Sequence, residues 1–147
     1  MHTYEDLMRF LGDYVKLDDI LWLLSDSEVH SYGQVIISFN TNSKVVLGVN
    51  VIFTHRLGGG LEDVRVEFLI STDISASKFL TSQYMDLIKS GAEVLVKKEG
   101  ISVFYRVKSL GNTSLKQYVD NVCKILEIDS INLSFLKYSF LEGLNAG

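Results

Sequence analysis

Hydrophobic and polar positions alternate with a period of two through the middle of the chain and recur at helical spacing towards both ends. Tyr4, Leu7, Met8, Leu11, Tyr14 and Val15 fall on one stripe, and Thr3 can cap its start with Asp6 three residues on. This predicts a helix from about Tyr4 to Val15. In the next stretch, KLDDILWLLSDSE, Ile20 to Leu24 form an unbroken apolar run that suits either a buried strand or more helix. Its leucine-rich composition, poor in β-branched residues, favours helix.

From Gln34 the period is two. QVIISF, the turn-forming Asn40-Thr41-Asn42-Ser43 and KVVLGVNVIFTH predict a hairpin, and Arg56 to Gly60 a flexible connection. LEDVRVEFLI then sets Val64, Val66, Phe68 and Ile70 on one face against Asp63, Arg65, Glu67 and Leu69 on the other. Asp73 or Ser75 can cap a second helix with Ala76, Phe79, Leu80, Tyr84, Leu87 and Ile88 on its inner stripe, ending at Lys89 and Gly91. A second hairpin joins EVLVKK to ISVFYRVK through Glu99-Gly100, with Ile101, Val103, Tyr105 and Val107 sharing a face. Asn112 or Thr113 caps a third helix that turns Leu115, Val119, Val122 and Leu126 (or Ile125) inward. From about residue 130, Leu133, Leu136, Phe140 and Leu144 at helical spacing predict a peripheral helix in the tail.

The expectation is therefore a single α+β domain over residues 1–147 in the order α-β-β-β-α-β-β-α. Its antiparallel sheet has about five strands, with the helices packed on one face. That arrangement leaves Ile36, Val46, Ile52, Leu69 and Phe104 on an uncovered outer face, although a slip of one residue would exchange the faces. The chain has no proline, so nothing in it forbids strand pairing along a sheet edge.

Composition narrows the classes. Apolar residues make up 47% and charged residues 22%, values of an ordinary globular domain that exclude disordered, collagen-like and coiled-coil chains. A net charge of −4 argues against a nucleic-acid partner, whose phosphates call for clustered cations. MHTYEDLMRF carries acidic residues where an export signal needs a basic segment followed by an apolar one. No apolar run approaches the roughly 20 residues of a membrane span. A cytoplasmic protein with no membrane association is expected. The single cysteine, Cys123, lies on the predicted third helix and reads as a small buried hydrophobe.

Motifs for chemistry fail on spacing or context. His2, His30 and His55 are far apart and match no metal-ligand spacing, and Gly58-Gly59-Gly60 leads into a strand rather than into the helix that a phosphate loop requires. The carboxylate pairs Asp18-Asp19 and Glu62-Asp63 suit solvated surface, and no serine sits in a nucleophile elbow. No catalytic, cofactor-binding or metal-ligating residue is assigned and no cofactor is expected; an enzyme would need a site built from His55, Arg56 and Asp63. Lys97, Lys98, Arg106 and Lys108 gather on the second hairpin and, with Arg65, predict a modest basic strip suited to an acidic protein segment. Lysines on an edge strand also hinder unwanted pairing.

The order and lengths of these elements, from TYEDLMRFLGDYV through LEDVRVEFLI to SLKQYVDNVCKILEI, resemble the type III secretion chaperone fold and the similar YbjN family over nearly the whole chain. The resemblance implies a non-enzymatic homodimer that binds an extended segment of a protein partner. Combined with the pattern, it marks Ile36, Val46, Ile52, Arg65, Leu69, Phe104 and Arg106 as candidate partner-binding residues. A second reading is an immunity or inhibitor protein that blocks a toxin or enzyme through its acidic surface.

Overall fold

The computed structural model describes residues 3–16, 32–40, 46–56, 59–71, 82–97, 100–127 and 134–143. Thr3 caps helix α1 (Tyr4–Leu11) by accepting from the Asp6 N–H at 3.1 Å, and the helix buries Leu7, Phe10 and Leu11. It ends earlier than its apolar stripe suggests. At Gly12 the chain leaves the helix, and the N–H groups of Tyr14 and Val15 both turn back to the Leu11 carbonyl at 3.0 Å, which keeps Val15 buried without a further helical turn. The apolar run at residues 20–24, expected to be helical, lies outside the described residues.

Strands β1 (Tyr32–Asn40), β2 (Val46–His55), β3 (Leu61–Ser71), β4 (Glu93–Lys97), β5 (Gly100–Arg106) and β6 (Ser134–Gly143) form one antiparallel sheet in the order β4-β5-β3-β2-β1-β6. Both expected hairpins are present, and the second joins the sheet through β5 against β3. Alternation dictates the inner face. Val35, Ile37 and Phe39, Val49, Val51 and Phe53, Val64, Val66 and Phe68, and Val103 and Tyr105 are all buried. Each apolar side chain taken fully from water contributes roughly 1.5–3 kcal/mol, so together they hold the register.

Helix α2 (Ser82–Lys89) packs beside β4, and helix α3 (Leu115–Ile125) contacts α2. α2 buries Leu87 and half-buries Tyr84, whereas Ile88, expected on its inner stripe, is exposed. Over its described turns the helix touches β4 and α3 through this narrow stripe, and Ile88 falls beside it. The expected caps Asp73 and Ser75, with Ala76, Phe79 and Leu80, lie outside the described residues. As expected, α2 finishes at Lys89 and Gly91; Gly91 takes φ 96°, a left-handed conformation that glycine adopts at no steric cost. The cap of α3 is Ser114, one residue beyond the expected Thr113. Its side chain accepts from the Gln117 N–H while Gln117 Oε1 accepts from the Ser114 N–H at 3.0 Å, a reciprocal arrangement that Thr113 reinforces by donating to the same Oε1. Leu115, Val119, Val122 and Cys123 face inward, and Ile125 and Leu126 are both half-buried.

An edge-to-face series of aromatic rings ties sheet to helices. Phe68 meets Tyr105 at 6.1 Å, Tyr105 meets Tyr118 of α3 at 5.2 Å, and Tyr118 meets Phe10 of α1 at 6.0 Å. Such pairs contribute about 0.5–1.5 kcal/mol each beyond the area they bury.

The α-β-β-β-α-β-β-α order is as expected, but the tail corrects one element: residues 134–143 form strand β6 rather than a peripheral helix. In its pairing with β1, Val35, Ile37 and Phe39 stand opposite Phe140, Tyr138 and Phe135, with a register shift between Ser38 and Phe39. The bulge makes the spacing along β6 two and then three, which hides the alternation and imitates helical periodicity. Pairing along the open side of β1 supplies the hydrogen bonds that a peripheral helix would make internally.

Two glycines test the packing of the β1–β2–β3 region. A Cβ at Gly33 would lie 2.6 Å from the Phe53 ring, whereas one at Gly48 would meet Leu69 Cβ at an ordinary 3.8 Å. Gly33→Ala is expected to destabilise the fold by about 1–3 kcal/mol through overpacking. Gly48→Ala is expected to stabilise it by about 0.5–1 kcal/mol by restricting the unfolded chain. Urea unfolding midpoints of the two variants against the parent check this contrast.

Candidate protein-binding face

The sheet face away from the described helices is a grid whose rows follow from the strand register. One row runs Ile36, Asn50, Glu67, Phe104, Glu93 across β1, β2, β3, β5 and β4. On one side of it lie Gln34, Ile52, Arg65 and Arg106, and on the other Ser38, Gly48, Leu69, Ser102 and Leu95. The expected outer residues Ile36, Ile52, Leu69 and Phe104 are all on this face, and Val46 takes the register position opposite Ser71 with the parity of Ile52. Ile36, Ile52 and Phe104 are half-buried, while Leu69 is 42% exposed. Leu69 and Leu95, the latter 49% exposed, flank Ser102, a buried small residue that leaves the two leucines standing above it.

Arg65 and Arg106 stand directly opposite each other on β3 and β5. Like charges in that position repel, and one carboxylate serves both: Asp63 accepts from Arg65 Nε at 2.9 Å and lies 3.4 Å from Arg106 Nε. Beside this trio is a shallow cleft of about 570 Å³ lined by Thr54, Glu62, Asp63, Arg106, Val107 and Lys108. The basic strip expected along the second hairpin is split. Lys97 stands opposite Gly100, six residues from Arg106 and roughly 20 Å away along the strand, and Lys98 lies outside the described residues.

Three features of the face were not foreseen from the sequence. Asn50 donates to Gln34 Oε1 at 3.4 Å, while its own Oδ1 is buried and accepts no hydrogen bond among the described residues. The Glu67 carboxyl is pushed above its ordinary value by burial, against an opposing pull from Lys97. Leu95 could have been read from the alternation of EVLVKK, but Asn50 and Glu67 are conspicuous only once their cross-strand neighbours are known.

His55 and Asp63, with Arg56 the residues of the alternative enzymatic site, are not brought together. A register shift places His55 opposite Leu61, while Asp63 stands opposite Thr54 on the open face. His55 lies on the helix side, hydrogen-bonded through Nδ1 to the Tyr4 hydroxyl at 3.2 Å and edge-on to Phe53. Cys123 is buried, and desolvation followed by the Asp120 charge raises its thiol to about 11, far from the reactive range. Burial likewise pushes the Tyr14, Tyr105 and Tyr118 hydroxyls upward. Among the described residues no three His, Cys, Asp or Glu side chains group to hold a metal, and no helix is long and apolar enough to cross a membrane. No protein-family model, no curated protein and no solved structure gives a significant match to this chain.

The position of Glu67 sets a pH dependence. A carboxyl raised in the folded state binds its proton more tightly there than in the unfolded chain, so stability falls as pH rises through and above the ordinary value of 4.5. Glu67→Gln removes this loss. The variant is expected to melt higher than the parent at neutral pH, with the difference closing below pH 4.5, in thermal melts followed by circular dichroism across that range.

Proposed function

We propose that the chain is a non-enzymatic protein-binding module, a chaperone-like homodimer that holds an extended, acidic segment of a protein partner on the open face of its sheet. The observation that supports this reading is the concentration on one face of three arrangements that cost free energy there. Arg65 and Arg106 share one carboxylate, Glu67 is a desolvated acid, and Asn50 Oδ1 is a buried acceptor without a donor among the described residues. Around them stand Ile36, Ile52, Leu69 and Phe104, apolar side chains on the face opposite the one the described helices cover. Departures from local stability gathered in one place are the mark of a working surface.

A segment laid across the face would relieve these costs. Its carboxylates would make charge-assisted hydrogen bonds to the paired guanidinium groups, a backbone N–H would donate to Asn50, and its apolar side chains would rest on Leu69 and Phe104. The segment is acidic by complementarity to the two exposed arginines, although the chain as a whole carries a net −4. Overall repulsion then slows encounter with acidic proteins at large and leaves recognition to the local pair.

Selection from a phage-displayed random peptide library tests the reading. Enriched peptides are expected to combine Asp or Glu with apolar residues, and to lose binding by about tenfold or more to Leu69→Asp, Phe104→Asp or Arg106→Glu chains that keep the parent circular dichroism spectrum. Absence of enrichment, or peptides that bind all three variants like the parent, would contradict it.

A further inference from the structure

Among the described residues, strand β4 ends the sheet and makes its ladder with β5 alone. Its sequence, Glu93-Val94-Leu95-Val96-Lys97, is symmetric about Leu95 in residue type and antisymmetric in charge. Glu93, Leu95 and Lys97 are exposed on the open face, and Val94 and Val96 are half-buried on the helix face. Neither Glu93 nor Lys97 makes an ion pair with a described residue. In helix α2 beside this edge, Met85 and Ile88 are 51% and 40% exposed.

We infer that a second copy of the chain docks on this edge, β4 pairing antiparallel with the partner's β4 about a two-fold axis at Leu95. In that register each Glu93 stands opposite a Lys97 of the other copy, each Val94 opposite a Val96, and the two Leu95 side chains meet at the axis. Charge selects this arrangement. A parallel pairing sets Glu93 against Glu93 and Lys97 against Lys97, and a shift of two residues leaves both charges without a counterpart. An unrelated strand arriving at the edge meets two exposed charges that it does not match, which discourages it, whereas a second copy pairs both. The two-fold axis is perpendicular to the sheet, so the helices of both copies lie on one side. The copies of α2 then flank the junction, with Met85 and Ile88 available to bury there. The result is a continuous sheet of twice six strands whose open faces form one surface. This inference rests on the homodimer in the proposed function and not on the capture of a third protein.

Sedimentation equilibrium of the full chain tests it. The parent is expected to dimerise, Glu93→Lys or Lys97→Glu alone to weaken the dimer by about tenfold, and the two together to restore it, since two cross-strand pairs change sign in each single variant. In a Cys123→Ser background, Leu95→Cys is expected to form a disulfide-linked dimer under oxidised glutathione. The facing Cα atoms would be about 4.5–5.5 Å apart, within disulfide reach. Val94→Cys, whose counterpart is a valine, is expected not to. Circular dichroism verifies that each exposed-edge variant folds. A strict monomer, or a dimer indifferent to both single charge reversals and unlinked through Leu95→Cys, overturns the inference whatever the peptide selection gives.

Discussion

Along β1, β2, β3 and β5 every second side chain is buried against the helices, and a one-residue slip in any strand would carry its valines, isoleucines and phenylalanines into water while turning polar residues such as Arg65 or Glu67 into the core. That penalty fixes the whole register. The rest of the molecule hangs from it: the aromatic series from Phe68 to Phe10 forms because the inner face presents Phe68 and Tyr105 upward to α3 and α1. The open face receives its grid of residues as a consequence.

On that open face, stability is treated differently. The inner face is apolar and closely packed, while the outer one sets two arginines side by side, buries part of a carboxylate and leaves an amide oxygen without a donor among the described residues. Ile36, Ile52 and Phe104 in this grid are half-buried while Leu69 and Leu95 are exposed, so the face is neither a second core nor an ordinary solvated surface. The proposed protein segment laid across it and the proposed second copy at β4 would use different parts of one sheet: the first side chains, the second the backbone edge and the charges at its ends. A dimer built through β4 would also make the open faces of two copies continuous.

Much of the fold is legible in the chain because period-two alternation is a local property. β3, β5 and the inner set from Val64 to Val107 can be read directly, as can the burial of Cys123 and the halt of α2 at Gly91. What escapes depends on neighbours. The bulge opposite Phe39 disguises β6 as a helix, Gly12 ends α1 before its apolar stripe runs out, and α2 leaves Ile88 exposed beside its buried Leu87. The set Ile36, Ile52, Leu69 and Phe104 is legible as a face; the strain among Arg65, Arg106, Glu67 and Asn50 is not, because it arises between strands far apart in sequence. The same register separates His55 from Asp63, two residues that look adjacent along the chain.

The central claim is that the register turns Leu69 to the open face and Ile70 to the core, and cysteine labelling measures it most directly. In a Cys123→Ser background, Leu69→Cys is expected to react with a thiol reagent at nearly the rate of the unfolded chain, and Ile70→Cys to react only on unfolding, since the parent residues are 42% and 5% exposed. Equal rates, or fast labelling at residue 70 with protection at 69, would place the wrong face towards solvent and contradict the account.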